Sequence, residues 1–272
     1  MGLQGWMNVL VSHPDNTMDF GLAGRHCLVT GASAGIGRGV ALALAAEGAV
    51  LSIAGRNEGE LEATRDMIAA QGASVLRIVT CDLAQPAGID VAVAAIAQAE
   101  RPVEVLINNA GGSRPYKLDA PADAAAWDEA IDLNFTAARR LAESALPAMR
   151  RARWGRIITI TGSLALKGMN AATPAKAAIT SWSRALSIQV AADGITVNCV
   201  APGRINSEQI LNRLFPTEES RRREIELSVP AGRFGEPEEI AAVITFLASA
   251  RASYVTGTMI PVDGAMLRLD LK

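Results

Sequence analysis

The segment Thr30-Gly31-Ala32-Ser33-Ala34-Gly35-Ile36-Gly37 has the residue types and spacing of a phosphate cradle. Glycines in the order G-x-x-x-G-x-G let the backbone turn tightly and approach a pyrophosphate. The helix that follows offers free N–H groups and the positive end of its dipole. A Gly-rich turn also ends ordinary strands. This one lies at the first strand-to-helix junction of the chain, where the ligand crevice of an open α/β sheet begins, and that place favours a nucleotide. The next apolar run ends in Ala54-Gly55-Arg56-Asn57. NAD-selective sites place an acid there for the ribose hydroxyls, whereas an Arg suits a 2′-phosphate. No acid precedes Arg56, so the expected cofactor is NADP(H) rather than NAD(H). The plainer role for Arg56 is a surface cation opening a helix.

Composition narrows the remaining chemistry. The 272 residues hold 26 basic and 28 acidic side chains, a balance that argues against a nucleic-acid partner. His13 and His26 lie near the N-terminus, which leaves little room for histidine catalysis. Cys27, Cys81 and Cys199 are far apart and lack CxxC spacing, so no disulfide framework and no metal site is expected. Tyr116 and Tyr254 are the only phenols. No apolar run approaches the roughly 20 residues of a membrane-spanning helix. The first residues lack a basic segment and a small-residue cleavage site, so a cytoplasmic location is expected. Met18 reads as a natural start. Residues 1–17 then form either an upstream extension, disordered or from a mis-assigned start, or an arm on a partner subunit.

The elements that must position these residues alternate. Strands are expected at His26 to Thr30, Val50 to Ala54, Ser74 to Thr80, Val103 to Asn108, Arg156 to Thr161, Ile195 to Val200 and Met259 to Val262. Helices are expected at Ile36 to Glu47, Glu58 to Gln71, Ile89 to Ala99, Thr173 to Ala192 and Pro237 to Ala250, with a long one from Ala124 to Arg150 interrupted near Pro147. Thr173 reads as the N-cap of its helix and Pro174 as its first residue. Short continuous apolar strands between helices are covered on both faces. Alternating β and α units give a parallel sheet with right-handed crossovers. The expected fold is a single-domain α/β Rossmann-type doubly wound sheet of about seven strands over residues 18–272. The polar segment 204–232 breaks the rhythm and reads as a substrate loop. Its run Arg221-Arg222-Arg223 reads as one solvated helical face.

From Leu22 to Gly264 the chain resembles the short-chain dehydrogenase/reductase family, nearest its 3-oxoacyl-carrier-protein reductase-like members. The resemblance rests on TGASAGIG, Cys81-Asp82-Leu83, Asn108-Asn109-Ala110-Gly111, Asp132-Leu133-Asn134, Ile160-Thr161-Gly162-Ser163, Ala201-Pro202-Gly203-Arg204-Ile205 and Val262-Asp263-Gly264. It implies a cofactor site at Gly31, Ser33, Ala34, Gly35, Ile36, Gly37, Arg56, Asp82, Leu83, Asn109, Ala110, Gly111, Lys176, Pro202, Gly203 and Ile205. It also implies catalytic roles for Ser163, Lys176 and Asn134, the last ordering a water in a proton relay. Ser163 also reads as a plain strand end, and Asn134 as a residue satisfying buried backbone groups.

One part of the pattern is missing. The family places a Tyr four residues before its Lys, as proton donor to the carbonyl. Here Ala172 stands four residues before Lys176, and nothing from Leu164 to Ala175 is aromatic. The distance from Ser163 to Lys176 is also shorter than usual by about one helical turn. Tyr116 lies in a loop expected to border the site, and Tyr254 reads as packing near the last strand. Two functions follow. One is an NADP-dependent oxidoreductase acting on a carbonyl or alcohol with an unusual proton donor. The other is a family-shaped protein that binds NADP(H) or a small ligand without redox chemistry. The Ala-rich helices Ala124 to Arg150 and Thr173 to Ala192 carry small and apolar residues on more than one face, which implies a homodimer or homotetramer, and the short apolar runs imply no membrane partner.

Overall fold

The computed structural model describes residues 18–162, 168–208 and 210–266. Residues 1–17 and Ser163 therefore lie outside the described residues. The strands are β1 (His26–Thr30), β2 (Val50–Gly55), β3 (Val75–Thr80), β4 (Val105–Asn108), β5 (Gly155–Ile160), β6 (Ile195–Pro202) and β7 (Met259–Val262). The helices are α1 (Gly35–Ala46), α2 (Glu58–Ala70), α3 (Pro86–Ala97), α4 (Ala124–Ile131), α5 (Ala137–Ala152), α6 (Ala172–Val190), α7 (Glu218–Ser228) and α8 (Pro237–Ala248). The strands form one sheet of seven in the order β3-β2-β1-β4-β5-β6-β7. Every pairing is parallel. β1 pairs with β2 on one side and with β4 on the other, so the winding reverses there and a crevice opens at the strand C-termini.

The sheet forms because its central strands are apolar on both faces. β1, β4 and β5 are buried at every residue. Neighbours along a strand point to opposite faces, and each face meets its own core. Val29, Val105, Ile107 and Ile158 pack with Leu44 of α1 and Ile244 of α8. Leu28, Leu106 and Ile157 pack with Ile89 of α3 and Leu141 of α5. A third, small cluster of Ile210, Val229, Phe234 and Met266 holds the segment after β6 together, with Phe215 and Ile225 against it.

Three local expectations change. The long helix from Ala124 is interrupted at Asp132–Thr136, a single π-helical turn, and not at Pro147, which sits inside α5. The Asn134 amide there donates to Ala130 O at 2.9 Å. The next helix starts one residue earlier than expected, with Ala171 at its cap and Thr173 and Pro174 within its first turn. Its cap carries no side-chain bond; instead Asn170 Oδ1 accepts from Ala172 N at 3.0 Å. The third change concerns helix faces. α5 is strongly two-sided, burying Leu141, Ala145 and Met149 while Arg139 and Glu143 pair on the other side. α6 does expose a small and apolar face, at Ala177, Ala178, Ala185 and Ile188.

Ile107 has no exposed surface and lies on β4, beside the reversal point. Ile107→Ala is expected to lower unfolding free energy by about 2–5 kcal/mol, since the close-packed sheet leaves a cavity it cannot collapse. Urea denaturation followed by circular dichroism measures it, and a loss under ~0.5 kcal/mol contradicts this packing.

Candidate active site

The cleft at the strand C-termini has a volume of about 850 Å³. Its floor begins at the turn after β1. Gly31 and Gly35 have φ of +65° and +52°, values that disfavour a side chain. Gly37 needs its missing Cβ for another reason: the atom would lie 2.1 Å from Gly31 O and 2.5 Å from Asn109 Nδ2. Ala34 is the N-cap of α1 and caps no N–H with a side chain. The first N–H groups of α1 therefore have no side-chain cap among the described residues, at a turn that lines the cleft.

The turn is braced from outside. Thr64 Oγ1 of α2 donates to Ala32 O at 3.0 Å. Arg38 donates to Ser33 O, to Thr64 Oγ1 at 3.0 Å and to Glu60 Oε2 at 2.6 Å. These bonds hold the Ala32 and Ser33 carbonyls on the side of the turn toward α2. Arg38 escaped the sequence reading. Its signal was a cation in the second turn's reach of a helix N-terminus, which is unfavourable unless partnered.

β1 and β4 are joined above the reversal point. Asn109 Nδ2 donates to Thr30 O at 2.9 Å and to Gly31 O at 3.2 Å. Thr30 Oγ1 accepts from Asn109 N and Ala110 N, both at 3.0 Å. Asn109, Ala110 and Gly111 line the cleft, but the Asn109 amide is committed to holding the turn. At the β2 end, Arg56 is exposed and lines the cleft. The Ser33 hydroxyl lies near the β2 end, 3.5 Å from where a Cβ on Gly55 would stand. Asn57 caps α2 by accepting from Glu60 N at 3.3 Å.

Asp82 and Leu83 are not brought into this cleft. Asp82 Oδ1 accepts from Ala84 N at 3.1 Å, closing the turn after β3, and Leu83 is buried in the second core. Pro202, Gly203 and Ile205 line the cleft beyond β6. Gly203 is held by Val262 O at 3.0 Å, and its Cβ would meet Asp263 at 2.6 Å. Ile210, Asn212, Leu214 and Phe215 form the wall above them.

Lys176 and Asn134 flank Gly111 at the far end. Asn134 is 5% exposed, and its Oδ1 accepts from Gly112 N at 3.1 Å. With Nδ2 on Ala130 O, each end of the amide makes one bond that holds the π-helical turn against the β4 end. Gly111 leaves the room between them: a Cβ there would lie 3.2 Å from Asn134 Oδ1 and 3.4 Å from Lys176 Nζ. Lys176 Nζ donates to Thr161 O. The protein around the amine strips its water and lowers its pKa from 10.5 to about 8.

Neither phenol reaches this end. Tyr116 packs edge-on against Trp127, ring centroids 6.0 Å apart, and Tyr254 is 100% exposed. Ala172 lines the cleft one helical turn from Lys176 and is itself 1% exposed. His26 opens β1, at the strand end opposite the cleft, and is bonded to Arg101 O at 2.8 Å and Ser52 Oγ at 2.9 Å. The three thiols are free and buried, and no cluster among the described residues could hold a metal.

The chain is similar to known proteins along most of its length. The profile described as Enoyl-(Acyl carrier protein) reductase matches residues 31–266. The 3-oxoacyl-[acyl-carrier-protein] reductase FabG of Escherichia coli is 38% identical over 246 residues, 89% of this chain and 97% of that protein. The chain belongs to the short-chain dehydrogenase/reductase family. L-sorbose reductase from Gluconobacter frateurii, solved with NADPH and L-sorbose, superposes with a TM-score of 0.84. It is 31% identical, over 92% of this chain and 99% of that one. The 3-oxoacyl (acyl-carrier-protein) reductase from Agrobacterium tumefaciens, solved with NADP, has a TM-score of 0.83 at 31% identity, over 90% of this chain and 95% of that one.

Gly37→Ala drives a methyl into Gly31 O, so the turn must open. The expected result is loss of nucleotide binding by more than about tenfold, a cost above 1.4 kcal/mol, in a fluorescence titration with NADPH. Unchanged affinity contradicts the cradle.

Proposed function

We propose that this protein is an NADP(H)-dependent oxidoreductase that interconverts a carbonyl compound and an alcohol, with Lys176 as the proton donor. The observation that carries the reading is the Lys176 amine, set at the cleft end beside Gly111 and Gly162 with its pKa lowered to about 8. An ordinary lysine gives up its proton too reluctantly to serve neutral-pH chemistry; one at about 8 is protonated at pH 7 and acidic enough to deliver.

The residues fit the dinucleotide. The glycine turn, the uncapped N-terminus of α1 and the braced carbonyls offer N–H groups to a diphosphate. Ser33 and Arg56 at the β2 end suit a 2′-phosphate. Ala110, Gly111, Pro202, Gly203 and Ile205 would border the nicotinamide, and Lys176 would also hold its ribose. When bound, the nicotinamide supplies hydride to the carbonyl carbon or takes it from the alcohol. As the carbonyl oxygen gains its electron pair, Lys176 Nζ passes it a proton and is left a neutral amine, which solvent recharges. Oxidation runs the same transfer in reverse. Asn134 keeps the Lys176 end in register through Gly112, and Ser163 remains a candidate carbonyl ligand from the sequence pattern. Segment 204–232 would shape the substrate side through Ile210, Leu214 and Phe215. The apolar face of α6 is the surface on which a homodimer or homotetramer would form.

The absence of a phenol from the cleft, among the described residues, favours one competing reading: NADP(H) binding without hydride transfer. Turnover of NADPH against a panel of ketones and aldehydes separates the two, because binding with no turnover on any of them supports the competitor.

Two further outcomes are expected. Lys176→Met should cut reduction by about 10²- to 10⁴-fold, the usual worth of a positioned acid. In the wild type, reduction should fall above pH about 8, as the ammonium loses its proton, while alcohol oxidation rises through the same range. A flat profile across pH 7–9, or full activity in Lys176→Met, removes this role. Arg56→Ala should weaken NADPH by at least about tenfold, or 1.4 kcal/mol, and leave NADH unchanged. Equal effects on both nucleotides remove the 2′-phosphate assignment.

A further inference from the structure

Asn170 lies in the cleft wall two residues before Ala172. Its Oδ1 accepts from two backbone groups, Arg114 N at 2.9 Å and Ala172 N at 3.0 Å. Two N–H donors on one end fix which end of the amide is oxygen. The other end is therefore NH₂, and it donates to Ser113 Oγ at 2.6 Å. An NH₂ group cannot accept, so the Ser113 hydroxyl must send its own proton elsewhere. No described residue accepts that proton, and Ser113 lines the cleft.

The place matters as much as the polarity. Gly111 stands beside Lys176 Nζ, and Ser113 follows two residues later on the same cleft-lining stretch. Side chains on a helix tilt toward its N-terminus. A side chain at residue 172 would thus lean from the Lys176 turn toward Asn170 and Ser113. Asn170 bonds both Ala172 N and Ser113 Oγ, so the hydroxyl stands one side chain away from the position that lacks the phenol. The wall is also built rather than incidental. Pro115 and Asn170 form an antiparallel bridge, Ala171 N donates to Arg114 O at 3.0 Å and Tyr116 N to Met169 O at 3.1 Å. Arg114 is in turn tied to Glu129 of α4.

We propose that Ser113 is a catalytic hydrogen-bond donor to the substrate's carbonyl oxygen, and that Asn170 is the positioning residue that turns its hydroxyl toward the cleft. The inference deepens the carbonyl–alcohol reading and rests on it. Ser113 keeps its proton throughout: it polarises the C=O bond and stabilises the oxygen while Lys176 delivers the proton that stays. A preorganised donor of this kind is worth about 10²- to 10³-fold in kcat.

The test compares Ser113→Ala, Ser113→Thr and Asn170→Asp in the full chain with NADPH. Ser113→Ala should lose about 10²-fold in kcat, with NADPH affinity unchanged, and Ser113→Thr should restore most of it. Asn170→Asp still accepts from both backbone N–H groups, but its second oxygen now draws the Ser113 proton away from the cleft, so it should match Ser113→Ala. A second readout needs no turnover. The carbonyl stretch of ¹³C-labelled cyclohexanone, bound to protein saturated with oxidised NADP, should move to higher wavenumber in Ser113→Ala and Asn170→Asp. An unchanged stretch with ketone still bound, or full kcat in Ser113→Ala, overturns the assignment while leaving the oxidoreductase reading intact. A wild type that neither binds nor reduces any ketone overturns that reading, and this assignment with it.

Discussion

The Asn109 amide reaches across the gap between β1 and β4 and donates to the carbonyls of Thr30 and Gly31. Thr30 answers from below, its hydroxyl accepting from Asn109 N and Ala110 N and donating to Ile107 O at 3.2 Å. These bonds replace the ladder where the two strands part and the sheet's winding reverses. They also dictate composition. The space the amide fills is the space that a Cβ on Gly31 or Gly37 would need. The glycines are thus a consequence of the lock as much as of any ligand.

The bracing from α2 completes the arrangement. Backbone N–H and C=O groups are both obligatory partners, so a turn that is to present N–H groups on one side must satisfy its carbonyls on the other. Asn109, Thr64 and Arg38 do this for Thr30, Gly31, Ala32 and Ser33. The cost of placing Arg38 near the positive end of α1 is offset by Glu60. The proposed anion site would therefore be assembled from neutral peptide groups held from behind, with Arg56 as its charged element at the β2 end.

The other end of the cleft follows a similar logic with a different shortage. Lys176 lies beside Gly111, Thr161 and Gly162 and has no carboxylate partner among the described residues. Desolvation without a counter-charge lowers an amine's pKa. A group that elsewhere would only assist an acid is thereby brought into the range where it can act as one. Asn134 is committed to backbone on both sides, so its contribution to the site is structural as well as positional.

Much of this was legible in the residues. The order of strands and helices, the parallel sheet, the glycine turn and the lack of an aromatic residue from Leu164 to Ala175 follow from local pattern, because apolar runs, glycine spacing and residue identity are local properties. Pro147 misled, since a proline kink is judged from the chain alone, whereas α5 accommodates Pro147 and the break falls at the Asp132–Thr136 turn. Asp82 and Leu83 were readable as a motif, but the turn bond of Asp82 and the burial of Leu83 in the second core were not. The bonds of Asn109, Arg38 and Asn170 join residues 22 to 79 positions apart or close a loop between two separate motifs. The lowered pKa of Lys176 belongs to the same class. Sequence alone determined which groups exist and in what order. Only the tertiary structure decided which way each hydrogen bond runs and which amine loses its water, because both depend on neighbours brought together by the fold.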